Sequence, residues 1–308
     1  MTSRWVLPLG SAEREDWEVV VDETTVPSGQ GWRYTGLYAG SLLPGVERGL
    51  STGTRELIVV PLSGSVDVRC TEASGAVSTV TLVGRDSVFA GSADVAYVPR
   101  DSDLVLEATS PCRVALAVAV VPAEPAGPVP SFQHLAAGDV PVELRGAGQA
   151  SREVRNFGVP GVLDAEALIA CEVITPAGNW SSYPPHKHDT RREGVESELE
   201  EIYYHEVQGA AEAPEGADPL GYLRVYGTAE REIDVLAEVR TGDVVLVPFG
   251  WHGPAMAAPG YDLYYLNVMA GPGPERAWLI SDDPAHSWVR QTWTSLPVDP
   301  RIPLGGVR

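Results

Sequence analysis

His186 and His188 stand two apart in TPAGNWSSYPPHKHD. Side chains alternate in an extended segment, so both imidazoles turn to one face and form a ready pair of ligands for a divalent cation. Two further groups suit the same ion. Glu201 lies in the apolar, aromatic run LEEIYYHEVQG, and His252 lies in GDVVLVPFGWHG, two residues after Gly250. An HxH pair alone is a short motif with real false-positive risk. The later Gly242–x5–Pro248–x–Gly250–x–His252 segment strengthens it. Glu200 competes with Glu201 for the carboxylate place, with Glu198 further behind. Glu201 is favoured because it shares strand parity with Tyr203 and His205, and because it matches Glu56 in an internal repeat.

The segments that must position these groups read as short strands. They include Glu56–Pro61, Ser65–Arg69, Val77–Leu82, Val95–Val98, Leu104–Ala108 and Cys112–Val121. In the second half they include Cys171–Thr175, Glu201–Val207, Leu223–Tyr226, Val244–Val247 and Asp262–Val268. Each is rich in Val, Leu or Ile and bounded by turn formers. Only Asp164–Ala170 and a few short pieces suit a helix. The pattern predicts an all-β protein of sandwich or barrel type.

Between the halves lies VPAEPAGPVPSFQ, Val121–Gln133, with prolines at 122, 125, 128 and 130. Such a run cannot form a helix or a central strand and reads as a linker. The halves also look like diverged copies. Glu56 precedes Gly64 by eight residues, and Glu201 precedes Gly209 by eight. Strands ending in Pro99 and Pro248 close both units. The expected organisation is a barrel over 1–120, a linker over 121–133 and a second barrel over 134–308. All six histidines lie at or beyond position 134, so a histidine-built site belongs to the second barrel alone.

Composition narrows the function. The chain has 308 residues and a formal net charge of −20, which repels nucleic acid and anionic membrane. Three cysteines without a CxxC pair argue against a disulfide framework or a cysteine zinc site and suit a reducing cytoplasm. No leader-like apolar run opens the chain, and no stretch is long enough to span a bilayer. Lys187 is the sole lysine, so phosphate transfer by a P-loop lysine is excluded. Its alternation with His186 and His188 turns it away from their face.

The His-x-His pair, the Glu and the Gly–x5–Pro–x–Gly–x–His segment resemble the two cupin motifs. That resemblance implies a metal site of His186, His188, Glu201 and His252 inside a β-barrel. It has two departures. Twelve residues, DTRREGVESELE, separate His188 from Glu201, where three or four are usual; Trp251 alone separates Gly250 from His252, where two residues are usual. Beyond the barrel motifs, RGAGQASREVRNF, NWSSYPPHKHD, EEIYYHEVQG, GYDLYYLNVMAGP and the earlier GRDSVF and YVP resemble bacterial 5-deoxy-glucuronate isomerases of myo-inositol breakdown. They more distantly resemble isomerases of pectin-derived 4-deoxy-5-keto uronates.

The resemblance implies a two-barrel bicupin of jelly-roll type and an aldose–ketose isomerase. It would take 5-deoxy-D-glucuronate to 5-dehydro-2-deoxy-D-gluconate through a cis-enediolate. A divalent metal would stabilise the developing charge without any organic cofactor. Zinc suits the ligands; manganese or iron would also serve. His205, Tyr203 and Tyr183 are the candidates for moving the proton, and His205 equally suits a packed core position. For the substrate carboxylate, Arg224 is the first candidate, with Arg191 and Arg192 as alternatives. Tyr264, Tyr265 and Asn267 could contact hydroxyls or serve the core. A homo-oligomer is expected. The rival readings are an iron-dependent cupin dioxygenase and a sugar- or metal-binding cupin without turnover.

Overall fold

The computed structural model describes residues 3–26, 31–125 and 127–304. Residues 1–2, 27–30, 126 and 305–308 fall within the ranges read above as barrels and linker, and they lie outside the described residues. The first strands are β1 Val6–Leu7, β2 Val19–Val21, β3 Thr35–Leu42, β4 Glu47–Ser51, β5 Arg55–Thr71, β6 Val77–Arg85, β7 Val95–Val98, β8 Asp103–Ala108 and β9 Cys112–Val120. Then come β10 Gln133–Leu135, β11 Val142–Arg145, β12 Arg152–Gly158, β13 Ile169–Thr175, β14 Trp180–Ser181, β15 His186–Lys187, β16 Asp189–Arg192 and β17 Glu196–Glu198. The last are β18 Glu200–Gly209, β19 Gly221–Tyr226, β20 Asp234–Val239, β21 Val244–Val247, β22 Trp251–Ala257, β23 Tyr261–Ala270 and β24 Ser281–Asp282. A single α-helical turn, Val289–Thr292, is the only α-helix among the described residues.

The all-β expectation holds. Glu56–Pro61 and Ser65–Arg69 are one strand, β5, bent where its register slips between Pro61 and Ser63. Asp164–Ala170 is not helical. The backbone N–H groups of Glu166, Ala167 and Leu168 donate to the Glu56 carboxylate, and Leu168–Ala170 enter the core as β13 begins.

Two large sheets organise the chain. One, in the order β1-β21-β18-β23-β13-β12-β11, belongs mainly to the second half; the other carries β10-β7-β5-β9-β3-β2 with β4, β6 and β8. They pack against each other, which explains why both faces of β18 and β23 are buried. In β5, odd residues such as Leu57 and Val59 fill an apolar interior within the first half. The even ones, Ile58 and Val60, join the core shared with the second half. A third sheet, β20-β19-β22-β15-β24 with β14, completes the second barrel.

The sheets do not divide cleanly at the proline run. β1 pairs with β21 of the second half, and β10 pairs with β7 of the first. Each barrel therefore receives a strand from beyond the linker.

Candidate metal centre and active-site cavity

β15 and β22 run antiparallel with His186 directly opposite His252, so the ladder sets two imidazoles side by side. Their ring centroids lie 4.4 Å apart, and those of His188 and His252 lie 4.7 Å apart. One nitrogen from each of the three rings falls within 4.8 Å of the others. Glu201 reaches the same point: its Oε2 is 3.0 Å from Nε2 of His188 and 3.0 Å from Nε2 of His252.

The twelve residues between His188 and Glu201 do not separate them in space. Asp189–Arg192 and Glu196–Glu198 form a hairpin, held by buried Glu196, whose carboxylate accepts from Lys187, Arg192 and the N–H groups of Asp189 and Thr190. The chain returns where it left. Leu199 N–H donates to the His188 carbonyl at 2.8 Å, and His188 Nδ1 lies 3.2 Å from the Leu199 carbonyl.

The donor set fits a divalent cation. His188 Nδ1 and His252 Nδ1 each face a backbone carbonyl, of Leu199 and Gly250, which leaves each Nε2 with its lone pair toward the cluster. His252 Nε2 is fully buried, and its close approach to Glu201 lacks hydrogen-bond geometry. Converging lone pairs of this kind are what an imidazole–carboxylate metal site requires. Burial and the neighbouring His252 and His188 hold His186 well below the usual imidazole range. Burial opposes ionisation of Glu201, but His252 and His188 prevail and hold it at about 2, so it is a carboxylate.

The cluster opens into a cavity of about 360 Å³, lined in part by His186, Glu201, Tyr203, Ser182, Tyr265 and Asn267. Ser182 Oγ lies 3.1 Å from the Tyr203 hydroxyl and 3.2 Å from that of Tyr265, which donates to Ser181 Oγ at 2.9 Å. Ser182 takes φ 46°, a left-handed conformation rare for serine, and its carbonyl presses on Gly253, where a Cβ would lie 1.8 Å away. Gly253 lets the two segments meet.

Other candidates fall elsewhere. His205 lies beneath Tyr203, rings nearly parallel at 6.1 Å, and burial lowers it to about 4. It does not line the cavity, and it serves as a neutral core residue. Tyr183 packs on Trp180 and His286, outside the lining. Arg224 does not line the cavity. It pairs with Asp234 on β20, donates to the Val225 and Val235 carbonyls and covers Tyr226. Its strand faces solvent there rather than the lumen. Arg191 and Arg192 line a separate groove with Gly271–Leu279, and Arg192 is engaged by Glu196 and Ser281. Lys187 pairs with Asp189 and Glu196.

Sequence reasoning missed the cavity's cations, Arg145, Arg152 and Arg290, and the carboxylate Asp282. Arg145 and Arg152 are direct partners across β11 and β12. Asp282 on β24 lies opposite His186, and Arg290 follows on the short helix that folds back over the mouth. RGAGQASREVRNF carried the signal: Arg145 and Arg152 flank a glycine-rich turn, which puts both on one hairpin.

Comparison with known proteins gives the family. Residues 6–289 match the model of the KduI/IolB family. The chain belongs to that family. It is 38% identical over 294 residues to the 5-deoxy-glucuronate isomerase of Geobacillus kaustophilus (strain HTA426), covering 94% of this chain and 96% of the relative. It is 38% identical over 237 residues to the enzyme of the same name from Bacillus subtilis (strain 168), covering 76% and 80%. The crystal structure of an IolB-like protein from Salmonella typhimurium LT2 superposes with a TM-score of 0.77 at 30% identity, covering 92% of this chain and 98% of that one. Oxalate decarboxylase from Lactobacillus farciminis aligns with a TM-score of 0.64 at 13% identity over 92% and 89%, which shows the shared bicupin fold alone. Family membership makes the chain an enzyme of the isomerase class.

Proposed function

We propose that this enzyme converts 5-deoxy-D-glucuronate to 5-dehydro-2-deoxy-D-gluconate, as a step of myo-inositol breakdown, with one divalent cation held by His186, His188, Glu201 and His252. The observation that carries the reading is the convergence of three imidazoles and one carboxylate at the wall of a polar cavity. A cation bound there supplies Lewis-acid stabilisation of the negative charge that develops on the substrate oxygens. Zinc suits this donor set best. The protein's own groups orient the sugar and move one proton from the carbon beside the aldehyde to the former aldehyde carbon. Asp282, the cavity carboxylate outside the cation cluster, is held in place by Arg290 and takes the base role through an oxygen lone pair that this pairing leaves free. Tyr203 Oη, coupled to Ser182 and Tyr265, exchanges protons with the substrate oxygens, while Asn267 contacts a hydroxyl.

We also infer that the first barrel binds no metal. Val98 pairs with Leu57 as Val247 pairs with Glu201, so Leu57 occupies the ligand's position in that barrel. A cytoplasmic setting agrees with three buried free cysteines. A homo-oligomer agrees with exposed Val77 and Val83 on strand β6.

The test is anaerobic incubation of metal-loaded protein with 5-deoxy-glucuronate, followed by NMR. Ketone should form at catalytic rates, with deuterium entering from D2O. No turnover without oxygen would sink the isomerase reading in favour of an oxygenase or a binding protein.

A further inference from the structure

Arg145 and Arg152 face each other directly across β11 and β12, and both line the cavity beside the cation cluster. Like charges set opposite one another in a ladder repel, so a fold that keeps them needs compensating anions. Arg145 has one: Glu143 accepts from its Nε at 2.9 Å and its Nη2 at 2.6 Å. Arg290, the third cation of the cavity, is clasped by Asp282 through two contacts. Arg152 has no carboxylate partner among the described residues. Its side chain donates to the Ala150 carbonyl at 3.0 Å, and its guanidinium lies 5.3 Å from the Trp293 ring centroid. It is 5% exposed.

A buried guanidinium with a free fork is costly unless something anionic meets it. Burial lowers its pKa to about 10, with Arg145 and Arg290 adding to the effect. The charge nonetheless persists at neutral pH. In a chain of net charge −20, this corner of the cavity is a local positive field.

We propose that Arg152 is the residue that binds the substrate's carboxylate, through a two-point contact with its guanidinium. The Trp293 ring lies beside two guanidinium groups, its centroid 5.3 Å from that of Arg152 and 5.1 Å from that of Arg290, and the Arg145–Glu143 and Arg290–Asp282 pairs leave Arg152 as the cavity cation without a carboxylate among the described residues. The sugar acid then lies across the cavity, carboxylate on β12 and aldehyde end toward His186 and Glu201. The proposal rests on the isomerase reading and names the group that selects an acid over a neutral sugar.

The experiment compares 5-deoxy-glucuronate with its neutral analogue, which carries a hydroxymethyl group in place of the carboxylate. In Arg152→Gln, kcat/KM for the acid should fall about 30-fold or more, while that for the analogue stays within about threefold. Metal content should match wild type by elemental analysis. Arg152→Lys should rescue only partly, since an ammonium lacks the fork. An equal loss on both substrates, or no loss on the acid, overturns the proposal. If the wild-type protein turns over neither substrate, the isomerase reading fails on its own account. Calorimetry with D-glucuronate then decides the anion site without turnover. Binding by wild type that is lost in Arg152→Gln sustains it; equal binding, or none by wild type, overturns it.

Discussion

Glu56 and Glu200 do the same job from opposite halves of the chain. Glu56 accepts from the backbone N–H groups of Glu166, Ala167 and Leu168, and Glu200 accepts from those of Arg33, Tyr34 and Thr35. Each carboxylate clasps a loop of the other half. Replacing either with Ala leaves three backbone donors, one buried and two partly buried, without their acceptor. We expect Glu56→Ala and Glu200→Ala each to lower unfolding free energy by roughly 3 kcal/mol or more. Chemical denaturation measures this, and a loss below about 1 kcal/mol would show that water satisfies the loops as well as the carboxylates do.

Metal stoichiometry tests the asymmetry between the barrels. Elemental analysis should find one divalent ion per chain. His186→Ala and His252→Ala should each lose most of it, and with it activity, while far-UV circular dichroism stays unchanged. Two ions per chain, or a fully loaded His186→Ala, would contradict the assignment. The metal found, zinc against manganese or iron, follows from the same measurement.

His205 gives the acid limb of stability a specific source. Its ordinary pKa is near 6.5, and burial lowers it to about 4 in the folded protein. Between these values the unfolded chain holds a proton that the folded chain does not. The contribution is therefore complete above pH 6.5 and is lost as pH falls toward 4, by roughly 3 kcal/mol in all. His205→Gln should flatten the stability profile between pH 4.5 and 6.5 relative to wild type. Parallel profiles would mean that another group carries the slope. The same variant should keep a substantial kcat, because His205 stands behind Tyr203 rather than in the cavity.

Arg224 offers a contrast to Arg152. Its guanidinium is spent on Asp234 and two carbonyls on the outer strands. Arg224→Gln should leave kcat/KM within about twofold of wild type, with a stability change of about 1 kcal/mol or less, as for other exposed pairs. A large fall in kcat/KM at unchanged metal content would return Arg224 to the substrate.

The cation cluster was legible because its parts are local. HKH sets two imidazoles on one face by alternation alone, and Gly250-x-His252 marks the start of the neighbouring strand β22. The strand positions were legible for the same reason. Long-range register was not. The repeat read from glycine spacing paired Glu56 with Glu201, yet the strand partners Val98–Leu57 and Val247–Glu201 pair Glu56 with Glu200. Gly64 takes φ 69° at a bend, whereas Gly209 has no positive φ, so the two glycines were not equivalent markers. The position of Arg224 outside the cavity lining was hidden for a related reason. Arg224 stood out as a charge among aromatics, but which face of a strand meets the lumen depends on sheet partners far away in sequence. Arg290 enters the cavity only because residues beyond β23 fold back across its mouth.

The strand exchange also sets an order of events during synthesis. Val6 and Leu7 are made about 240 residues ahead of their partners Val245 and Val244. At roughly 5–20 residues per second, β1 waits some tens of seconds without its mate. For a shorter time β7 lacks its partner β10, until Gln133–Leu135 leave the ribosome. The nascent chain therefore carries an unpaired hydrophobic strand, with Trp5 beside it, until β21 is made. Chaperone dependence should concentrate there: cells short of holding chaperones should lose this protein before release, and shortening the chain by its first nine residues should leave β21 as an open edge in the finished fold.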